Sequence, residues 1–110
     1  MNNPFLDALG ICKRAMKLCF GFETTKTAMQ KGQVEIVFLA SDLSEKSRKE
    51  MHFLCKQLGV DIADTKFDMQ LLGGSIGKKT GIIAILDEGL AQMTKKKFVL
   101  FGEEQNDSKI

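Results

Sequence analysis

The 110-residue sequence predicts a layered α/β sandwich. Three observations carry that prediction. Two short segments, Val34–Ala40 and Ile82–Leu86, are almost continuously apolar and β-branched, as strands covered on both faces by helices must be. Segments with apolar residues at helical spacing alternate with such strands. Glycines and helix-capping residues mark nearly every junction.

The elements follow in order. Asn3 before Pro4 signals a cap and first turn, because the N–H that proline lacks would have no helical partner there. Phe5, Leu9, Cys12 and Met16 then share one helical face, with Lys13, Arg14 and Lys17 on others. Lys17–Phe20 reads as a short strand closed by Gly21. A second helix over about 22–31 turns Phe22, Thr25 and Met29 inward and stops at Gly32. After the strand over 34–40, Asp42 and Glu45 form a helix-start signature. That helix turns Met51, Leu54, Cys55 and Leu58 inward and Lys46, Arg48, Lys49 and Glu50 outward, and it stops at Gly59. Its His52 lies between Met51 and Phe53, both read as inward.

Val60–Thr65 alternates as a third strand, with Val60, Ile62 and Ala63 inward, and a short helix over 68–72 leads into a glycine-rich stretch, 73–81. Beyond the strand 82–86, a last helix opens at Asp87-Glu88 and closes at Lys95-Lys96-Lys97, charges that complement the helix dipole. Phe98–Phe101 has no assigned role in this pattern. Residues 1–101 make a single domain, and 102–110 a polar tail.

Composition narrows the function classes. With 44% hydrophobic and 27% charged residues, the chain has material for one core and is neither disordered nor disulfide-stapled. Three cysteines without a CxxC pair read as small buried hydrophobes, and His52, the only histidine, leaves no credible metal site. No apolar run reaches the roughly 18 residues of a membrane span, and Met1-Asn2-Asn3-Pro4 has no export signature. A cytoplasmic protein is expected. Net charge is +2, but residues 1–32 carry five basic and two acidic groups. Lys78-Lys79 and Lys95–Lys97 add further positive clusters, which attract an anionic partner if folding gathers them.

Catalytic patterns are missing. Gly77-Lys78 superficially suggests a phosphate-binding loop, but Gly73 precedes Gly77 by four residues rather than five, and Lys79 replaces the required hydroxyl. The stretch also leads into a strand, whereas a phosphate loop opens a helix. No Ser/His/Asp or Cys/His set is plausible, and Asp61, Asp64 and Asp68 are dispersed. Neither enzyme activity, cofactor nor small-molecule substrate is expected. The turn at Gly21 and the stretch 73–81 instead fit a surface that a phosphate backbone approaches closely.

Four blocks in register carry a resemblance: Leu9-Gly10-x-x-x-Arg14-Ala15-x-Lys17-Leu18, Gly21–Ala28 ending in Lys31-Gly32, Val37–Asp42, and Leu72-Gly73-x-x-Ile76-Gly77-Lys78. Over roughly residues 5 to 95 the chain resembles the ribosomal-protein family of kink-turn RNA binders, in its YlxQ-like bacterial branch. The resemblance implies a three-layer α/β/α sandwich with a mixed four-stranded sheet. It also implies a monomeric, ribosomal-type RNA-binding protein whose partner is structured, kink-turn-like RNA, ribosomal RNA foremost. The helix after Gly21 would enter the widened groove, its polar readers falling on Glu23, Thr24 and Thr27 with Lys26 and Lys31 beside them. Leu72, Gly73, Ile76 and Gly77 would pack under an extruded base, with Lys78 and Lys79 at the backbone.

The chain departs from the family pattern where it would read bases. Glu23 replaces an amide or cation, Thr24 replaces Glu or Gln, and Thr27 replaces Lys, while Lys26 comes one position early. Loss of a cation–guanine contact weakens discrimination by ~1–3 kcal/mol. The alternative these departures raise is a protein-interaction module on the same fold, with RNA binding weakened or lost.

Overall fold

The computed structural model describes residues 3–102; of the expected polar tail, 102–110, only Gly102 is described, buried at the end of the last helix, and the rest lies outside the described residues. Helix α1 spans Pro4–Arg14, followed by strand β1, Leu18–Phe20, and helix α2, Phe22–Gln30. Strand β2, Ile36–Leu39, leads into α3, Glu45–Leu58, and then β3, Asp61–Asp64. Helix α4, Met69–Gly74, strand β4, Ile82–Ile85, and helix α5, Glu88–Phe101, complete the order. The four strands form one mixed sheet in the order β1-β4-β2-β3. Only the β2–β3 pair is parallel.

Alternation along the two central strands divides the interior into two cores. Ile36, Phe38, Ile83 and Ile85 face α1, α4 and α5, and pack with Phe5, Leu9 and Leu72. Val37, Leu39, Ile82 and Ala84 face α2 and α3, and pack with Met29, Met51 and Cys55. A period of two puts successive side chains on opposite faces, so a strand serving both layers has no polar side. Hence the three-layer α/β/α sandwich with its mixed four-stranded sheet.

The predicted caps at both ends of the chain hold. The Asn3 carboxamide oxygen accepts from the amides of Phe5 at 2.8 Å and Leu6 at 3.3 Å, while its Nδ2 donates to the Phe101 carbonyl at 3.1 Å. Asp87 accepts from the Leu90 amide at 2.9 Å. Gly59, at φ 72°, ends α3 in the left-handed conformation that glycine adopts without strain.

Other expectations are corrected. Met16 is not on the apolar face of α1; it sits beyond the helix at φ 61° and is 85% exposed. The amides of Met16 and Lys17 bond back to the carbonyls of Lys13 and Cys12, so this residue makes the reversal into β1. Helix α3 is capped by Ser44 rather than Asp42, whose carboxylate crosses over to accept from the Met69 amide at the start of α4. Arg48 does not point outward. Its guanidinium donates to the carbonyls of Ala40, Ser41 and Leu43 and pairs with Asp64, tying α3 to the ends of β2 and β3.

Phe53 is exposed rather than inward, at 64%, and Leu58 is also exposed. The last helix does not close at Lys95–Lys97 but continues to Phe101. Phe98 explains the extension: its ring lies 5.3 Å from that of Phe5 and 5.7 Å from that of Phe38. An edge-on contact such as that between Phe5 and Phe98 contributes about 0.5–1.5 kcal/mol beyond area burial.

Candidate nucleic-acid interface

Sheet pairing decides which loops meet. Because β1 runs antiparallel to β4, with Phe20 opposite Ile83, the residue after β1 lies beside the residue that opens β4. The Gly21 amide accordingly donates to the Ile82 carbonyl at 3.0 Å. The same carbonyl accepts the buried Thr80 hydroxyl at 3.2 Å. On the other side of β4, the Ala40 amide donates to the Gly81 carbonyl at 2.9 Å. Thus the start of α2, the end of the glycine-rich loop and the turn after β2 occupy one end of the sheet.

Gly21 caps α2 at φ 91° with no side-chain bond to the first-turn amides. Those N–H groups and the helix dipole present partial positive charge at this end. The loop is built by close backbone packing. The Gly73 carbonyl accepts from the amides of Ile76 at 3.0 Å and Lys78 at 2.9 Å. A Cβ on Gly73 would lie 2.1 Å from the Lys78 carbonyl oxygen and 2.6 Å from the Thr80 nitrogen. Only glycine fits there. Gly77 turns the chain at φ 79°.

Helix α1 supports the loop from behind. Lys13 Nζ donates to the Ile76 carbonyl at 3.2 Å. Gly10 brings the helix so close to Ser75 that a Cβ would stand 3.2 Å from its carbonyl oxygen. A groove of about 460 Å³ between α1 and α4 includes Arg14, Gln70, Gly74 and Ser75, with Asp7 as its one carboxylate.

The expected contact residues separate into three groups. Leu72 and Ile76 are 0% and 5% exposed and belong to the core with Phe5 and Phe38, so their side chains anchor the loop from within. Gly73 is likewise buried; Gly77, Lys78 and Lys79 are exposed. On α2, Glu23, Thr24, Thr27 and Lys31 line a second groove, of about 440 Å³, against Cys19 and Leu86. Lys26 lies apart from them, in a third groove with Lys49, Glu50 and Phe53 of α3. Lys31 follows the last turn of α2, about 15 Å along the helix from Gly21. Lys26 and Lys31 therefore line different grooves rather than one shared basic face.

Two further cations, Lys13 and Arg14, flank the loop from the last turn of α1. Their signal in the sequence was the positive charge of the first 32 residues. The thiols are placed for packing. Burial pushes Cys12 and Cys55 up to about 11, with Asp87 and Asp61 respectively adding to the shift. Among the described residues no group of three or more His, Cys, Asp or Glu side chains is arranged to hold a metal ion, and no helix is long and apolar enough to cross a membrane.

The ribosomal protein L7Ae/L30e/S12e/Gadd45 family matches residues 5–95 of this chain. The RNA-binding protein YlxQ of Enterococcus faecium is 30% identical over 91 residues, which are 83% of this chain and 87% of that protein. A protein of unknown function from Bacillus halodurans C has a similar structure, with a TM-score of 0.84 and 28% identity over 89% of this chain and 99% of that one. The 15.5kD RNA binding protein of Giardia lamblia shares the fold at 16% identity, with a TM-score of 0.68 over 87% of this chain and 82% of that one.

Proposed function

The chain belongs to the ribosomal protein L7Ae/L30e/S12e/Gadd45 family, and from that premise we propose that it binds structured, kink-turn-like RNA at the sheet end where Gly21 meets Ile82. The observation that carries the reading is that single hydrogen bond. It sets the start of α2, whose first-turn amides have no side-chain partner, beside a glycine-rich loop bearing Lys78 and Lys79, with Lys13 and Arg14 behind. Phosphates approach the exposed amides and lysines, while Gly73 and Gly77 keep the loop low enough for a bulky base to lie over it. The name of the Enterococcus relative, an RNA-binding protein, supports the same partner class. In this reading the protein acts as a monomer in the cytoplasm, on ribosomal RNA, without a cofactor.

One observation favours a second reading. The flank of α2 that would read bases carries Glu23 and Lys31, one charge of each sign, around Thr24 and Thr27. Such a balanced surface suits a protein partner better than a polyanion. Titration of a kink-turn RNA and an unkinked duplex of equal length at two salt concentrations separates the two. The RNA reading expects tighter binding of the kinked form that persists at the higher salt. Equal, steeply salt-dependent binding leaves backbone contacts alone, and no binding to either RNA favours the protein-interaction module.

A further inference from the structure

Helices α2 and α3 both start at the loop end of the sheet, α2 after Gly21 and α3 shortly after the β2 residue that pairs with Ile82, and they run from there side by side. Between them lies a valley of about 370 Å³, lined by Phe22, Lys26, Lys49, Glu50, Phe53 and Leu54. Phe53 is 64% exposed and shares the valley with the apolar Phe22 and Leu54, so one face of its ring is open to solvent. Lys46, Lys49, Phe53 and Lys56 follow one another at spacings of three, four and three residues, which makes a single exposed stripe along α3. Lys26 faces the same valley from α2. None of these four lysines has an ion pair or hydrogen bond among the described residues, and Glu50 is the one carboxylate lining the valley. Arg48, one position from the stripe, locks α3 to the sheet and makes the surface rigid.

We propose that this valley is a second RNA-contact surface, for an unpaired single strand, in which Phe53 stacks a base while Lys26, Lys46, Lys49 and Lys56 contact the backbone. Its chemistry selects that partner. An exposed ring offers a face that any unpaired base can stack on and that a paired base inside a duplex cannot reach. The flanking cations follow the ring along about 15 Å of helix, matching a charged strand rather than a single anion. The surface goes beyond the kinked-duplex reading, because it requires neither the loop nor a bend. It also gives a strand leaving the loop end a continuous path along the protein.

A fluorescently labelled twelve-nucleotide oligouridylate, which has no duplex or kink, tests the surface independently of the loop. The intact chain binds it at low salt, and Phe53→Ala weakens binding by about 5- to 150-fold, the range of one lost base stack. Replacing Lys46, Lys49 and Lys56 by Ala together lowers the salt dependence by roughly two ions, at about 0.7 per contact on a single strand. Phe53→Trp supplies a direct signature, since the chain has no tryptophan or tyrosine: indole fluorescence is quenched as the strand binds. Failure of the intact chain to bind the oligouridylate overturns the proposal, as does unchanged affinity of Phe53→Ala or unquenched indole at saturation. Those results would leave kink-turn binding at the loop unaffected.

Discussion

The Gly21 amide and the Ile82 carbonyl meet at 3.0 Å, and with that bond the turn into α2 becomes a neighbour of a loop some sixty residues away in sequence. The Thr80 hydroxyl occupies the same carbonyl, so the junction has its polar groups satisfied within the protein. What stays open to a ligand is the exposed set around it: the first-turn amides of α2, Gly77, Lys78 and Lys79.

Gly73→Ala should disrupt this junction. The new methyl group would overlap the Lys78 carbonyl and the Thr80 amide, both backbone atoms that cannot rotate away. Overpacking of this kind costs about 1–3 kcal/mol, and the loop must shift to relieve it. Urea unfolding should show the loss, and RNA affinity should fall with it. Gly74→Ala serves as the control, because its Cβ would meet nothing within 4 Å.

Arg48→Ala should lower stability by about 2–3 kcal/mol. The guanidinium serves three backbone carbonyls from a partly buried position, and hydrogen bonds to a charged donor contribute ~1.5–3 kcal/mol. Its pair with Asp64 adds little, since that carboxylate is 47% exposed and screened. Arg48→Lys should recover only part of the loss, because an ammonium cannot reproduce the planar fork. Thermal melts of both variants decide the matter.

Stability should decline in alkali through the two buried thiols. Cys12 and Cys55 ionise near 9 when unfolded but only at about 11 in the native chain. The unfolded state therefore binds fewer protons across that interval, and unfolding free energy falls as pH rises from about 9 towards about 11. Stabilities measured by urea titration should slope downward there. The slope should flatten in the Cys12→Ala/Cys55→Ala variant, whose cavities lower stability equally at every pH.

Thr27→Lys should improve kink-turn binding. The position lies on the α2 flank with Glu23 and Thr24, less than two helical turns from the junction, and faces a groove of balanced charge. A lysine there adds a cation within reach of guanine edges and phosphates, worth ~1–3 kcal/mol of discrimination. Comparison of the kinked and unkinked RNAs should show the gain in the kinked form. An equal gain in both would mean a backbone contact alone.

The two-sided strands and the caps at Asn3 and Asp87 were legible in the sequence because each depends on local spacing. Long-range choices were not. Asp42 has the spacing of a cap for α3, yet the chain turns so that it serves α4 instead, a decision made by tertiary packing. Arg48 looks like any outward cation until the carbonyls after the end of β2 are brought beside it. Phe98 has no role in the pattern because its partners, Phe5 and Phe38, are distant in sequence. At the candidate interface, periodicity could place Lys26 on α2 but not assign it to the α3 side. Similarly, the glycine pattern identified the loop without revealing that Leu72 and Ile76 point into the core.

The proposed interface is tested most directly by amide chemical-shift mapping of the isotope-labelled chain with a kink-turn RNA. The account predicts that the perturbed amides cluster at Gly21–Thr24 and across the loop from Gly73 to Gly81, with Lys13 and Arg14 responding from behind. Perturbations confined to α5, or an unchanged spectrum at saturating RNA, would contradict it.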